Sequence, residues 1–283
     1  MKAAYKAVQA AVLGITVGLF LLQSSAFAAE PQIESRLLPY DTVGFDPGQE
    51  ERIARGGELL VAGPDERLAL YNPIEGTVVV LKDLQLSHLF EVGEVSDLAW
   101  TDDGYVAVLD APTRTVALYD LNGTLHSARS LPDMVPQGVR LVVEGDELFG
   151  QDVFGNLHRI ADRSEATLYR PAGQSLVRRE AGVRWNAESR QMEVGGAVFE
   201  LPKALKASGQ RAGDRWLVVD QVVSESPIEV ERHAIDLETY ASVELPVRGR
   251  VYVPNGDFVE DSAGRFHVLI PTQDGLEVRR VTP

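Results

Sequence analysis

Ser96-Asp-Leu-Ala-Trp100, Asp102-Asp-Gly104, Tyr105-Val-Ala-Val-Leu-Asp110, Thr113 to Tyr119, Asp120-Leu-Asn-Gly123 and Thr124 to Leu131 follow one another along the chain. Read in order they are strand, turn, strand, strand, turn, strand. Asp-Gly and Asn-Gly accept the positive φ angles of tight hairpins, and Val, Leu, Tyr and Thr suit a pleated surface packed on both faces. The stretch is therefore an antiparallel meander of four short strands.

The same grammar returns on either side of it. Glu58 to Ala62 precedes Arg67 to Tyr71 and Thr77 to Lys82; Glu147 to Asp152 precedes Asn156 to Ile160 and Ala166 to Arg170. Arg215 to Asp220 precedes Ile228 to Ile235 and Ala241 to Leu245, and Arg265 to Ile270 precedes Leu276 to Val281. Gly182 to Asn186, Arg190 to Val194 and Ala197 to Leu201 form a degenerate copy. Taking copies to begin at 58, 105, 147, 182, 215 and 265 gives a mean spacing of about 41 residues, the period of a β-propeller blade. The expected fold is all-β, a six-bladed β-propeller of four-stranded antiparallel blades. The last copy lacks one strand. Gln32 to Leu38, extended and otherwise unpartnered, is expected to supply it, so that the ring is closed by an N-terminal strand and two sheet edges are removed. Only Pro202 to Gly213 has helical character.

The 283 residues are 45% hydrophobic and 24% charged, an ordinary globular composition. No cysteine is present, which excludes disulfides, thiolate metal sites and a catalytic thiol. Residues 1–28 read as a secretory signal peptide: Lys2 and Lys6 form its positive start, Ala10 to Leu22 its apolar run and Ala26-Phe27-Ala28 its cleavage site. An uncleaved membrane anchor is the alternative reading of that run. Cleavage removes two lysines and no acid, leaving 25 basic and 42 acidic residues and a formal charge of -17. The leader points to the periplasm, with secretion as the alternative, and no stable membrane span is expected after cleavage. So acidic a protein lacks the basic face that nucleic acid requires. Residues 29–57 are read as a lead-in containing the closing strand, and 58–283 as the propeller.

Asp102 to Asp110 with Val116 to Gly123, and Pro254 to Val268, resemble NHL-type repeats of six-bladed propellers. That resemblance implies a fold and leaves the chemistry open, since such repeats serve many functions.

No nucleophile elbow, zincin helix, phosphate-binding loop or EF-hand loop occurs in the chain. His88, His126, His158, His233 and His267 are scattered, with no two of them spaced as paired metal ligands. Asp110, Asp152 and Asp220 are each read as ending a second strand, a placement that would repeat them at one mouth of the ring, where Ca²⁺ could bind several oxygens. The competing reading is that each starts the following turn with its own side chain. Arg178, Arg179 and Arg184 in the degenerate copy, followed by Lys203, Lys206 and Arg211, form a basic island that could dock an acidic protein or an anionic glycan; a solvated face is the plainer reading. Trp100, Trp185 and Trp216 are expected in the core between blades.

Pro254-Asn255-Gly256, followed by Asp261 and Gly264, also resembles the P-N-G segment of calcium-dependent lactonases of the gluconolactonase and senescence-marker type. In that family the Asn ligates the metal, and the resemblance implies the same role for Asn255, with a cation-activated water attacking a lactone carbonyl. The family follows this segment with a strand ending in Asp; His267 to Thr272 has none. The sequence thus supports an exported binding or scaffolding module for a protein or glycan partner, with no catalytic residue and no cofactor. A metal-dependent lactonase or esterase using Asn255 with Asp110, Asp152 or Asp220 is the alternative.

Overall fold

A computed structural model describes residues 31–39, 58–131, 140–144, 147–151, 157–161, 168–169, 183–213, 215–226, 228–245, 257–272 and 274–283, all within the unit Pro31–Pro283. The signal segment, Asp152, Arg178, Arg179 and Asn255 lie outside them. Apart from a 3-10 turn at Pro64–Glu66, the described residues form strands and turns. No helix among them is long and apolar enough to cross a membrane.

The strands alternate outward along hairpins. β1 (Gln32–Pro39) comes first in the chain. β2 (Glu58–Ala62), β3 (Arg67–Asn72), β4 (Thr77–Lys82) and β5 (Gln85–Glu91) make the first sheet. β6 (Asp97–Thr101), β7 (Val106–Asp110), β8 (Thr115–Tyr119) and β9 (Leu125–Ser130) make the second. β10 (Arg140–Glu144), β11 (Glu147–Gln151) and β12 (Leu157–Ala161) make the third; β13 (Leu168–Tyr169) departs from it. β14 (Val183–Asn186), β15 (Gln191–Val194) and β16 (Ala197–Glu200) make the fourth. β17 (Lys206–Ala212), β18 (Trp216–Glu225), β19 (Ile228–Asp236) and β20 (Ser242–Leu245) make the fifth. β21 (Phe258–Glu260), β22 (Phe266–Pro271) and β23 (Gly275–Thr282) make the sixth, and β1 adds to it along the full length of β23, Gln32 opposite Thr282 and Pro39 opposite Gly275.

Three local expectations are corrected. Pro202 to Gly213 is a turn followed by β17, because its alternating exposure and the long edge of β18 favour a ladder over a helix. Asp220 does not end its strand: β18 continues to Glu225, and the β18–β19 hairpin is the longest in the chain's described part. Leu168 and Tyr169 pair with Thr101 and Trp100 on β6 and not with the third copy, so that this short ladder satisfies backbone groups on the edge of β6 away from β7.

Core clusters knit sheets in chain order. Trp100, with Val106 and Val108, packs on Ala69, Tyr71 and Val78 between the first and second sheets. Leu109 and Leu118 meet Leu148 and Ile160 between the second and third. Met192 and Val194 meet Leu217 and Val219 between the fourth and fifth. Trp216 and Val218 meet Phe266 and Val268 between the fifth and sixth. The sixth then packs on the first, through Leu38, Val259, Leu269 and Leu276 against Leu60, Leu68 and Leu81. Each such side chain, fully buried, contributes about 1.5–3 kcal/mol, so these seams carry the fold.

Candidate functional site

The densest buried ionic group lies where the fifth sheet meets the sixth. Asp220 on β18 stands opposite Arg232 on β19, which places both side chains on one face. Arg232 Nε donates to Asp220 Oδ1 at 2.6 Å and Nη2 donates to Oδ2 at 3.0 Å, while Nη1 reaches across the seam to Asp257 Oδ2 at 2.6 Å. One guanidinium thus holds two carboxylates. Although burial disfavours its charge, the hydrogen bonds to Asp220 and the negative charge of Asp257 hold the Arg232 pKa above its ordinary value. Burial pushes Asp257 up to about 6, and Arg232 offsets this only in part. The second oxygen of Asp257, Oδ1, is buried without a hydrogen-bond partner.

Asp97 occupies the matching place in the second sheet. It opens β6 opposite Leu109, as Asp257 precedes β21 with its carbonyl accepting from Leu269 N at 2.8 Å. Asp97 Oδ2 accepts from Leu141 N on β10 at 2.6 Å, and so ties the second sheet to the third. Burial raises Asp97 to about 6, against that hydrogen bond and the charge of Arg140. Sequence reading missed both residues; the available signal was an Asp at the start of the first strand in two repeats that otherwise align, Asp97 to Asp110 and Asp257 to Ile270.

Another buried group lies at the seam between sixth and first sheets. Asp261 accepts from Arg265 Nε at 2.7 Å and contacts His267 Nε2 at 2.9 Å; Arg265 Nη1 continues to Glu66 at 3.0 Å. Burial opposes the Asp261 charge, but the hydrogen bonds from His267 and Arg265 hold it at about 2. Burial depresses the His267 pKa, with Asp261 opposing. Arg280 pairs with Glu34 of β1 at 2.5 Å and lies 3.8 Å from Glu66 and 3.7 Å from Asp83.

The carboxylates singled out in the sequence are dispersed. Asp110 Oδ1 accepts from Thr113 N at 3.0 Å, within the turn that leads to β8. Asp220 is clamped by Arg232. Among the described residues no three His, Asp or Glu side chains stand close enough together to hold a metal. Of the basic island, Arg184 is exposed on β14, Lys203 lies 3.6 Å from Glu231, Lys206 lies 3.7 Å from Glu225, and Arg211 is half-buried on β17. β14 packs beside β17, so Arg184, Lys206 and Arg211 share one region of the fourth and fifth sheets. Both lysine side chains are exposed, so the pairs are worth about 0–1 kcal/mol each and leave both lysines available to another anion.

This arrangement defines an all-β protein of the propeller type, with its ionic groups set at the seams between sheets. No family model and no curated protein matches the chain. It is similar in fold to a catalytically inactive virginiamycin B lyase from Staphylococcus aureus with quinupristin, at 11% identity and a TM-score of 0.49, covering 89% of this chain and all of that one. It is similar also to a gluconolactonase from Xanthomonas campestris, at 14% identity and a TM-score of 0.42, over 90% and 96% of the two chains. BamB from Moraxella catarrhalis matches at 10% identity and a TM-score of 0.31, over 81% of this chain and 73% of its own. These likenesses are of fold alone.

Proposed function

We propose that the chain is an exported six-bladed propeller, periplasmic, that acts as a non-catalytic binding or scaffolding module for an acidic protein or an anionic glycan. In this reading residues 1–28 are the signal peptide, 29–57 the lead-in, and 58–283 the propeller, with β1 closing the ring. The observation that carries it is the work done by the two described carboxylates of the strand-end series. Asp110 shapes a turn and Asp220 anchors Arg232, so both serve the scaffold. The packing of the sixth sheet on the first supports closure. Arg184, Lys203, Lys206 and Arg211 then provide the contact surface.

The test is binding of the mature protein to immobilised heparin and to a poly-glutamate peptide, at low and moderate salt. Saturable binding that reversal of Arg184, Lys203 and Lys206 to Glu abolishes is the expected result; binding unchanged by that reversal would remove this surface from the proposal. A second reading is favoured by Asp257, whose buried, unpartnered oxygen stands two residues after Asn255. It is a Ca²⁺-dependent lactonase or esterase, and its signature is turnover of a lactone by purified protein that chelator and Asn255→Ala both eliminate.

A further inference from the structure

Glu231 and His233 are two residues apart on β19, so both side chains leave the same face of the fifth sheet. This is the face opposite to Arg232. Gln221, on β18, is the cross-strand partner of Glu231 and joins them there. Gln221 Nε2 donates to Glu231 Oε2 at 2.8 Å and lies 3.1 Å from His233 Nε2, while His233 Nε2 lies 3.6 Å from Glu231 Oε2. Three side-chain atoms from two adjacent strands thus form a small triangle.

Two edges of that triangle, 2.8 and 3.1 Å, match those of a coordination face, and the third, 3.6 Å, is a few tenths of an ångström wider. Ligands about 2.05 Å from a cation stand about 2.9 Å apart at octahedral edges and about 3.3 Å apart at tetrahedral ones. Gln221 supplies a second observation. It is 5% exposed, and its Oε1 is buried without a hydrogen-bond partner while Nε2 serves two acceptors. Nε2 occupies the shared corner because a carboxylate and an imidazole nitrogen both require a donor. A cation reverses that requirement: a half-turn of the amide brings Oε1 to the corner, and all three vertices become electron-pair donors. Glu231 and His233 are 28% and 20% exposed, leaving an open side for water ligands. Lys203 stands by the other carboxylate oxygen, Oε1, and not by the one in the triangle.

We propose that Gln221, Glu231 and His233 form a site for a first-row divalent transition cation of the Zn²⁺ type, separate from Asn255 and the strand-end aspartates. An imidazole nitrogen with two oxygens suits that class better than Mg²⁺ or Ca²⁺. Binding breaks the two contacts of Gln221 Nε2, leaves His233 protonated on Nδ1 and forms three metal bonds; no electron is transferred.

Calorimetric titration of the chelator-treated mature protein with ZnCl₂, repeated with CaCl₂, tests this. One saturable Zn²⁺ site per chain is expected, with no comparable Ca²⁺ site. His233→Ala and Glu231→Gln should abolish it, Gln221→Ala should weaken it, and Lys203→Ala should leave it as tight or tighter. Co²⁺ in place of Zn²⁺ should give a visible absorption band that His233→Ala removes while the far-UV spectrum stays native. Should His233→Ala not fold, His233→Gln supplies the comparison. Absence of a Zn²⁺ site in the wild type, persistence in a folded His233 variant, or loss on His88→Ala instead would overturn the assignment. A Ca²⁺ site sensitive to Asn255→Ala but not to His233→Ala would overturn it too, and would favour the lactonase reading.

Discussion

Arg232 and Asp257 form a 2.6 Å ion pair between neighbouring sheets with side chains only 6% and 5% exposed. Such a pair is weak evidence of net stabilisation, since desolvation cancels much of the attraction, but breaking it leaves buried charge uncompensated. Its effect is to fix how the fifth sheet sits on the sixth.

Arg232→Met strands two carboxylates at the seam, and should cost about 3–5 kcal/mol in urea unfolding. Asp257→Asn should cost less, because Asp220 still neutralises the guanidinium through both of its oxygens. Equal losses in the two variants would contradict this account of the group.

Stability should respond to pH with an unusual sign at these carboxylates. Asp97 and Asp257, both near 6 in the fold, bind protons more tightly there than in the unfolded chain, where Asp titrates near its ordinary value. Their protonated forms favour the fold, so this contribution is present below about pH 4 and is lost as pH rises through about 6. Asp261, held at about 2, acts oppositely: its contribution is present above about pH 4 and is lost as pH falls toward 2. His267, depressed by burial, also loses stability on acidification below its ordinary range. The prediction concerns the difference between Asp257→Asn and wild type. The variant should gain on the wild type by roughly 1 kcal/mol per pH unit between about pH 4 and 6, then plateau. Unfolding curves at half-unit intervals check it, and a flat difference would show that Asp257 titrates ordinarily.

Removal of residues 31–38 should unfold the chain or cause it to aggregate. The loss uncovers the whole edge of β23 and removes Leu38 from the core it shares with Leu60 and Leu276. Gly275 shows how closely the two strands approach: a Cβ there would lie 2.3 Å from the Leu38 carbonyl oxygen. Losing the Leu38 side chain alone should cost about 2–5 kcal/mol. Thermal unfolding and light scattering of the truncated protein would read both effects, and unchanged melting would show that β1 is dispensable.

The hairpin grammar was legible where a turn uses Gly, Asp or Asn at the position the backbone requires, as at Asn122-Gly123, where Gly123 has φ 78°; the turns at Arg114, Arg190 and Tyr240 adopt positive φ without that signal. The pairing of Gln32 to Leu38 with the last strand followed from a strand deficit. What escaped was set by tertiary packing. Pro202 to Gly213 carries Ala, Lys and Gln, which suit helices, yet the edge of β18 draws it into a ladder. Asp220 and Asp110 look alike in sequence, but an arginine opposite one of them turns it from a strand-end residue into an ion-pair partner. The contact of Glu231 and His233 with Gln221 depends on the register of two strands, which no local pattern specifies.

Gly63 and Trp100 provide a test of the seam between the first and second sheets. The backbone at Gly63 is extended, with φ at -121°, so its conformation suits any residue. Space is what requires glycine: a Cβ would meet the Trp100 ring at 2.4 Å, and that ring is 1% exposed within a packed cluster. Gly63→Ala must displace the indole, and overpacking of this kind costs about 1–3 kcal/mol. Trp100→Phe is the companion change, because a smaller ring leaves room for the methyl. The double variant should therefore lose less stability than the two single changes added together. A double-mutant cycle in urea with tryptophan near-UV dichroism would measure that coupling, and strict additivity would mean that the contact is not what holds Gly63 in place.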